Sequence, residues 1–158
     1  MIEAVCIWGE KYPVSSQIQK TCEIYNLSPS NVFFSKDIDI WRSLWLVNQE
    51  KKQQEINTDR IYQSVAYVNL NKIADISEVI ENILEKNTVY YLNGSHTWAG
   101  GTEIDPYVFY CDSMAGDIVS NFIWNRRYEY NIERDFYHHI KTYKLKTRCL
   151  GNIIKEYE

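Results

Sequence analysis

Along the first half of the chain, runs of β-branched and aromatic residues alternate with amphipathic stretches of helical period, and this order constrains the fold more than any other feature. Residues 2–8 (IEAVCIW) are apolar enough for a strand, which the turn chemistry of residues 9–13 ends. Ser15 or Ser16 then caps a helix reaching Tyr25. Residues 31–35 (NVFFS) read as a short strand. Asp37 or Asp39 caps a helix that carries Ile40, Trp41, Leu44, Trp45 and Val47 at helical spacing. The tail of that helix, residues 48–55, is polar and reads as solvated. Residues 61–70, rich in Tyr and Val without a breaker, predict a strong strand. A helix capped by Asp75 or Ser77 follows, with Ile76, Val79, Ile80, Ile83 and Leu84 on one stripe and Glu78, Glu81 and Glu85 outside. Repeated strand, helix, strand order is the signature of crossover units with right-handed connections.

The second half is organised around two further aromatic, β-branched runs, residues 88–92 and 107–111. They read as a hairpin whose long connection, residues 93–103, holds Asn93, Ser95, His96, Thr97, Trp98, Gly100, Gly101 and Glu103. Ser113 can cap a helix with Ile118, Val119, Phe122 and Ile123 facing inward, weakened by Gly116, and a last helix runs from Asn131 to Lys141. Residues 144–149 alternate like an edge strand whose outward lysines discourage pairing with other chains. The expectation is an α/β to α+β fold in one domain, residues 1–158, built on a mixed sheet of about five to six strands with helices packed against it.

Length supports one core, because a chain of about 150 residues buries roughly two thirds of its extended surface. The net charge of −4 argues against a general nucleic-acid binder. That average hides an asymmetry: residues 1–125 hold 9 Lys and Arg against 16 Asp and Glu, and residues 126–158 hold 8 against 5. Cys6, Cys22, Cys111 and Cys149 lack CxxC pairing and sit mostly in apolar stretches, which predicts reduced, buried thiols. No run of about 18 apolar residues and no basic-then-apolar leader is visible, so the expected location is the cytoplasm, without a membrane span.

Several constellations can carry chemistry. In the connection NGSHTWAGGTEID, His96 titrates near neutrality and suits acid or base work, while Gly100 and Gly101 let backbone amides turn toward an anion. The spacing matches neither a P-loop nor a dinucleotide fingerprint. Glu133, Asp135, His138 and His139 crowd the last helix, but adjacent histidines diverge by about 100° and chelate one ion poorly. An exposed polar face, with one ring against Phe136 or Tyr137, is the plainer expectation there. Cys111 ends a strand near His96 in outline only, and free Cys is usually core. Arg126, Arg127, Lys141, Lys144, Lys146 and Arg148, with Tyr143 interleaved, offer a local cationic stretch that also reads as an aggregation-resistant edge. None of these patterns calls for a cofactor or a metal.

Two functions follow as expectations. The first is a small acidic binding protein that occludes a basic macromolecular partner, a toxin or nuclease inhibitor of immunity-protein type. There Glu78, Glu81, Glu85 and Glu103 would pair with the partner's cations and Trp98 would serve as an aromatic anchor; Trp41, Trp45 and Trp124 are further anchors. The second is an enzyme acting on a phosphorylated or nucleotide substrate, with His96 as acid or base, Gly100 and Gly101 shaping an anion site, and Arg126 or Arg127 stabilising negative charge.

Overall fold

The computed structural model describes residues 1–75, 84–92, 94–97, 101–126, 128 and 131–150. Its centre is β1 (Ala4–Gly9), buried at all six positions. Parallel partners lie on both sides of it, β2 (Val32–Lys36) with Val5 opposite Val32 and β3 (Val65–Asn69) with Val5 opposite Ala66. A strand covered on both faces has no polar side to show, which explains the near-continuous apolar run of residues 2–8.

Beyond β3 the sheet continues through β7 (Val108–Cys111), β4 (Thr88–Tyr91) and the edge strand β8 (Lys146–Cys149), in the order β2-β1-β3-β7-β4-β8. Strand β7 runs antiparallel to both its neighbours, and β8 is parallel to β4. The fold is therefore α/β with a mixed six-stranded sheet, as the strand and helix periods predict.

Helices pack against the sheet in two layers that the alternation of β1 separates. Val5 and Ile7 face a core with Tyr25 of α1 (Ser15–Tyr25), Ile73 and Leu84. Ala4, Cys6 and Trp8 face the other core, with Trp41, Leu44 and Val47 of α2 (Ile40–Thr58) and with Phe122, Phe136 and Ile140. Those last residues belong to α4 (Phe122–Asn125) and α5 (Ile132–Thr142); α3 (Ser113–Val119) adds Ala115 and Val119 to the same layer.

Helix starts follow local chemistry. The Asp39 carboxylate accepts the Trp41 N–H at 3.0 Å and caps α2, and the Asn131 side chain accepts the Arg134 N–H at 2.9 Å and caps α5. At α1 the cap is Val14 rather than either serine, and its N–H is satisfied by Gln17 Oε1 at 2.9 Å. The inward helix expected after Ser113 breaks in two, α3 and α4, after Val119. The helix expected over residues 76–85 lies largely outside the described residues, as do Glu78 and Glu81.

Three further expectations are corrected. The tail of α2 is not simply solvated, since Asn48 and Lys51 are buried. Lys51 Nζ donates to Tyr67 Oη at 3.0 Å, to the Ser113 carbonyl at 3.0 Å and to Asp117 Oδ1 at 3.2 Å. The Tyr67 hydroxyl donates to Asn48 Oδ1 at 2.7 Å, and Asn48 Nδ2 donates to Asp117 Oδ1 at 2.8 Å. Burial of a cation is tolerated because every donor finds an oxygen. Gly116 makes room for this network, since a Cβ there would fall 2.0 Å from Tyr67 Oη.

The second correction concerns the connection between β4 and β7. These strands pair as expected, Tyr90 opposite Tyr110, but the connection is not a plain loop. It folds into its own antiparallel ribbon, β5 (Gly94–Thr97) with β6 (Gly101–Ile104), and β6 packs on α5. Asp135 and His139 of α5 are buried rather than exposed, which corrects the polar-face reading of that helix.

Candidate functional site: a crevice at the carboxyl ends of the first and third strands

Directions in the sheet decide where a site can form. Strands β1, β2 and β3 are mutually parallel; β4 shares their direction because β7 is antiparallel to both β3 and β4, and β8 follows β4. Five of the six strands thus deliver their carboxyl ends to one side of the molecule. On that side the chain leaves β1 toward β2, whereas β3 stands on the opposite flank of β1. Loops that diverge in this way leave a crevice outside the strand ends, the usual position of ligands in open α/β sheets.

A cavity of about 420 Å³ occupies that position. Glu10 and Lys11 line it from the end of β1, Asn69, Leu70, Asn71 and Lys72 from the end of β3, Ile40 from the start of α2 and Tyr107 from the approach to β7. The two loops meet tightly at Gly9, where a Cβ would stand 3.1 Å from Leu70 Cβ, and the absence of a side chain permits this approach. Backbone hydrogen bonds fix the frame: Asn69 N–H donates to the Tyr107 carbonyl at 2.7 Å, and Asp37 N–H donates to the Gly9 carbonyl at 3.1 Å. Asn69 is buried, and its Oδ1 accepts the Asn71 N–H at 3.1 Å, which turns the chain back over the crevice.

Tyr107 is the aromatic part of the lining. Its ring stacks on Trp8 at 6.1 Å and 14°, and Trp8 in turn lies 5.1 Å from Trp41. Trp8 is wholly buried with no hydrogen-bond partner for Nε1 among the described residues. The Tyr107 phenol is pushed above its ordinary range by burial first, then by Glu133 and Asp105, with Arg126 opposing. A protonated phenol is the form that stands in the crevice near neutrality.

The residues singled out from sequence fall at several places in the fold. His96 lies on β5 opposite Thr102, and Gly101 on β6 opposite Thr97, within the ribbon that follows the carboxyl end of β4. Ile104 closes the ribbon just before Asp105 leads into Tyr107, whose N–H the Asp105 carboxylate accepts at 3.0 Å. The Glu103 carboxylate accepts from Asn131 Nδ2 at 2.8 Å and so ties the ribbon to α5. Arg126 stands 3.8 Å from the buried Asp135 carboxylate and 4.2 Å over the Tyr128 ring. Glu85 is exposed, and its N–H donates to the Tyr90 hydroxyl at 3.0 Å. Trp98, Gly100 and Arg127 lie outside the described residues.

Other candidates are placed by burial. Cys6 and Cys111 are buried and Cys22 and Cys149 half-buried, all four as thiols outside any disulfide. Burial pushes the Cys6 thiol up to about 12 and the Cys111 thiol well above its ordinary value, opposite to what an activated nucleophile needs. His139 gives Nε2–H to the Ile118 carbonyl at 2.9 Å, and burial lowers its pKa. Lys146 and Arg148 of the edge strand β8 point outward while Thr147 is buried. Among the described residues no cluster of three His, Cys, Asp or Glu could hold a metal ion, and no helix is long and apolar enough to cross a membrane.

Sequence reasoning passed over Glu10, Lys11, Asn69, Asn71, Lys72 and Tyr107. Their one signal is position, immediately after the first strand, after the third and before the seventh.

No family model and no curated protein matches the chain. Among solved structures, a glycosyltransferase involved in the glycosylation of the major capsid of PBCV-1 is similar over 97% of this chain and 81% of its own, at 12% identity and a TM-score of 0.44.

Proposed function

We propose that this chain is an enzyme that binds a phosphorylated small molecule, a nucleotide or nucleotide-linked compound, in the crevice at the carboxyl ends of β1 and β3. One observation carries the reading. The cavity is lined by the apolar Ile40, Leu70 and Tyr107 together with the polar Lys11, Lys72, Asn69, Asn71 and Glu10. A planar ring can pack on the aromatic and aliphatic groups and a phosphate can meet the lysines, so a cavity with this mixed lining suits a ligand that carries both. Small-molecule pockets span about 300–1,000 Å³, a range that takes in this one. The acidic balance of the whole chain weighs against long nucleic acids but not against a small anion that meets a local pair of lysines. In this reading His96 is the general acid or base, on a ribbon at the same end of the sheet.

The test is an equilibrium titration, followed by tryptophan fluorescence, with nucleoside monophosphates, nucleoside diphosphates and inorganic diphosphate. Tyr107→Ala is expected to weaken the nucleotides by about three- to tenfold, the range of one aromatic contact, and to leave inorganic diphosphate unchanged. If no compound in the set binds, the reading is wrong.

The acidic inhibitor is the second reading, favoured by the surplus of Asp and Glu in residues 1–125 and by the exposed Trp124, whose ring meets Trp45 at 5.7 Å. Charge reversal at Glu78, Glu81 and Glu85 would then slow association with a basic protein partner and leave nucleotide binding untouched.

A further inference from the structure

We infer that the crevice holds the phosphate of its ligand directly through the ammonium groups of Lys11 and Lys72, with no divalent cation between protein and phosphate. This rests on the nucleotide reading above and specifies how the crevice meets the ligand's charge.

The donor set is the first argument. A magnesium ion that presents a phosphate is held by one or two carboxylates at near-ideal octahedral geometry. Glu10 is the sole carboxylate among the described lining residues, the minimum of that donor set, and it stands against two lysines in the same lining. The Asn69 side-chain oxygen is already engaged by the Asn71 N–H at 3.1 Å. The acidic groups beside the crevice are engaged in its frame: Asp37 Oδ1 accepts the Asp39 N–H at 3.0 Å, the other Asp37 oxygen lies 3.8 Å from Arg42, Asp39 Oδ1 caps α2, and Asp105 Oδ1 accepts the Tyr107 N–H at 3.0 Å.

The second argument is the cations. Lys11 and Lys72 come from different loops, one on each side of the Gly9–Leu70 approach, so an anion in the cavity meets a positive charge from both strand ends. The ion pairs among the described residues are Arg42–Asp37, Lys51–Asp117, Arg60–Glu3 and Arg126–Asp135, and neither crevice lysine belongs to one. A solvated ammonium without a carboxylate partner is available to a phosphate as a point charge, the ordinary way lysine binds phosphate. Glu10 has the wrong sign for that group and suits a ligand hydroxyl, which it can accept from.

The experiment titrates the full chain with inorganic diphosphate and with nucleoside diphosphates, once in EDTA and once in magnesium. Affinity is expected to agree within about threefold between the two conditions. Lys11→Gln and Lys72→Gln are each expected to weaken binding about tenfold, and the double variant about a hundredfold, the scale of lost charged hydrogen bonds. Lys52→Gln, on the exposed side of α2, serves as the control and should bind like the parent. Circular dichroism verifies that each variant is folded. Binding that vanishes in EDTA and ignores both lysines would overturn the inference in favour of a cation-bridged site and leave the nucleotide reading standing. Binding in EDTA that ignores both lysines would place the phosphate elsewhere and overturn it too. No binding in either condition would remove the nucleotide reading together with the inference.

Discussion

Lys51 and Lys72 put the same side chain to opposite uses. Lys51 is fully buried, and its ammonium is consumed by the Tyr67 hydroxyl, the Ser113 carbonyl and Asp117. Lys72 stands in the lining of the crevice, outside every ion pair among the described residues. A buried charge survives only with a complete set of partners, so the Lys51 network ties α2, β3 and α3 into one frame and has no capacity left for a ligand. A charge at a strand end remains hydrated until something arrives to replace the water. The contrast teaches that in this molecule the buried polar groups hold the frame, whereas the crevice lysines at the carboxyl edge take no part in it.

The largest expected effect breaks the frame. Lys51→Ala removes a cation whose partner Asp117 is 34% exposed and so keeps some hydration; the loss should be about 3 kcal/mol, the low end for a broken buried pair, read from urea unfolding. Gly116→Ala drives a methyl group into the Tyr67 phenol and should cost about 2 kcal/mol by the same assay. A loss below about half that in either variant would mean that the network is looser than its distances imply. Asp39→Ala uncaps α2 and should cost about 1 kcal/mol. Because Ile40 follows the cap and lines the crevice, the same variant should also weaken ligand binding.

A smaller effect comes from pH. His139 is held neutral by burial, with a pKa below the ordinary 6.5. The unfolded chain takes up a proton near 6.5 while the folded chain resists until lower pH. Stability from this group is therefore complete above that value and declines as pH falls toward the folded pKa, by at most about 1.4 kcal/mol per pH unit. His139→Phe should remove that part of the slope. The smallest effect sharpens the comparison most. Lys11→Gln and Lys72→Gln should each change stability by less than about 0.5 kcal/mol, since neither cation supports the fold.

Much of the fold was legible because period and capping are local. The apolar run of residues 2–8, the Asp39 cap and the Asn131 cap each announce their element within a few residues. What sequence concealed depends on distant partners. Lys51 reads as a solvated helical lysine because Asp117, which lets it be buried, lies 66 residues away. The ribbon of β5 and β6 was hidden because a Gly-rich polar stretch resembles a loop until α5 supplies a surface for β6. The crevice was hidden for a related reason. Glu10 and Asn69 become neighbours only when β1 and β3 pair, and strand order is not written in any local period. The conspicuous residues His96 and Gly101 sit on the ribbon that follows the carboxyl end of β4, by way of the β4–β7 connection.

The central claim, that the carboxyl ends of β1 and β3 form the ligand site, is tested most directly by an amide-resolved NMR titration with a nucleoside diphosphate. The account predicts shift changes concentrated at Gly9 to Lys11, at Asn69 to Lys72 and at Tyr107, with the Lys51 network unmoved. Changes centred on Glu85 or Trp124, or none at saturation, would contradict it.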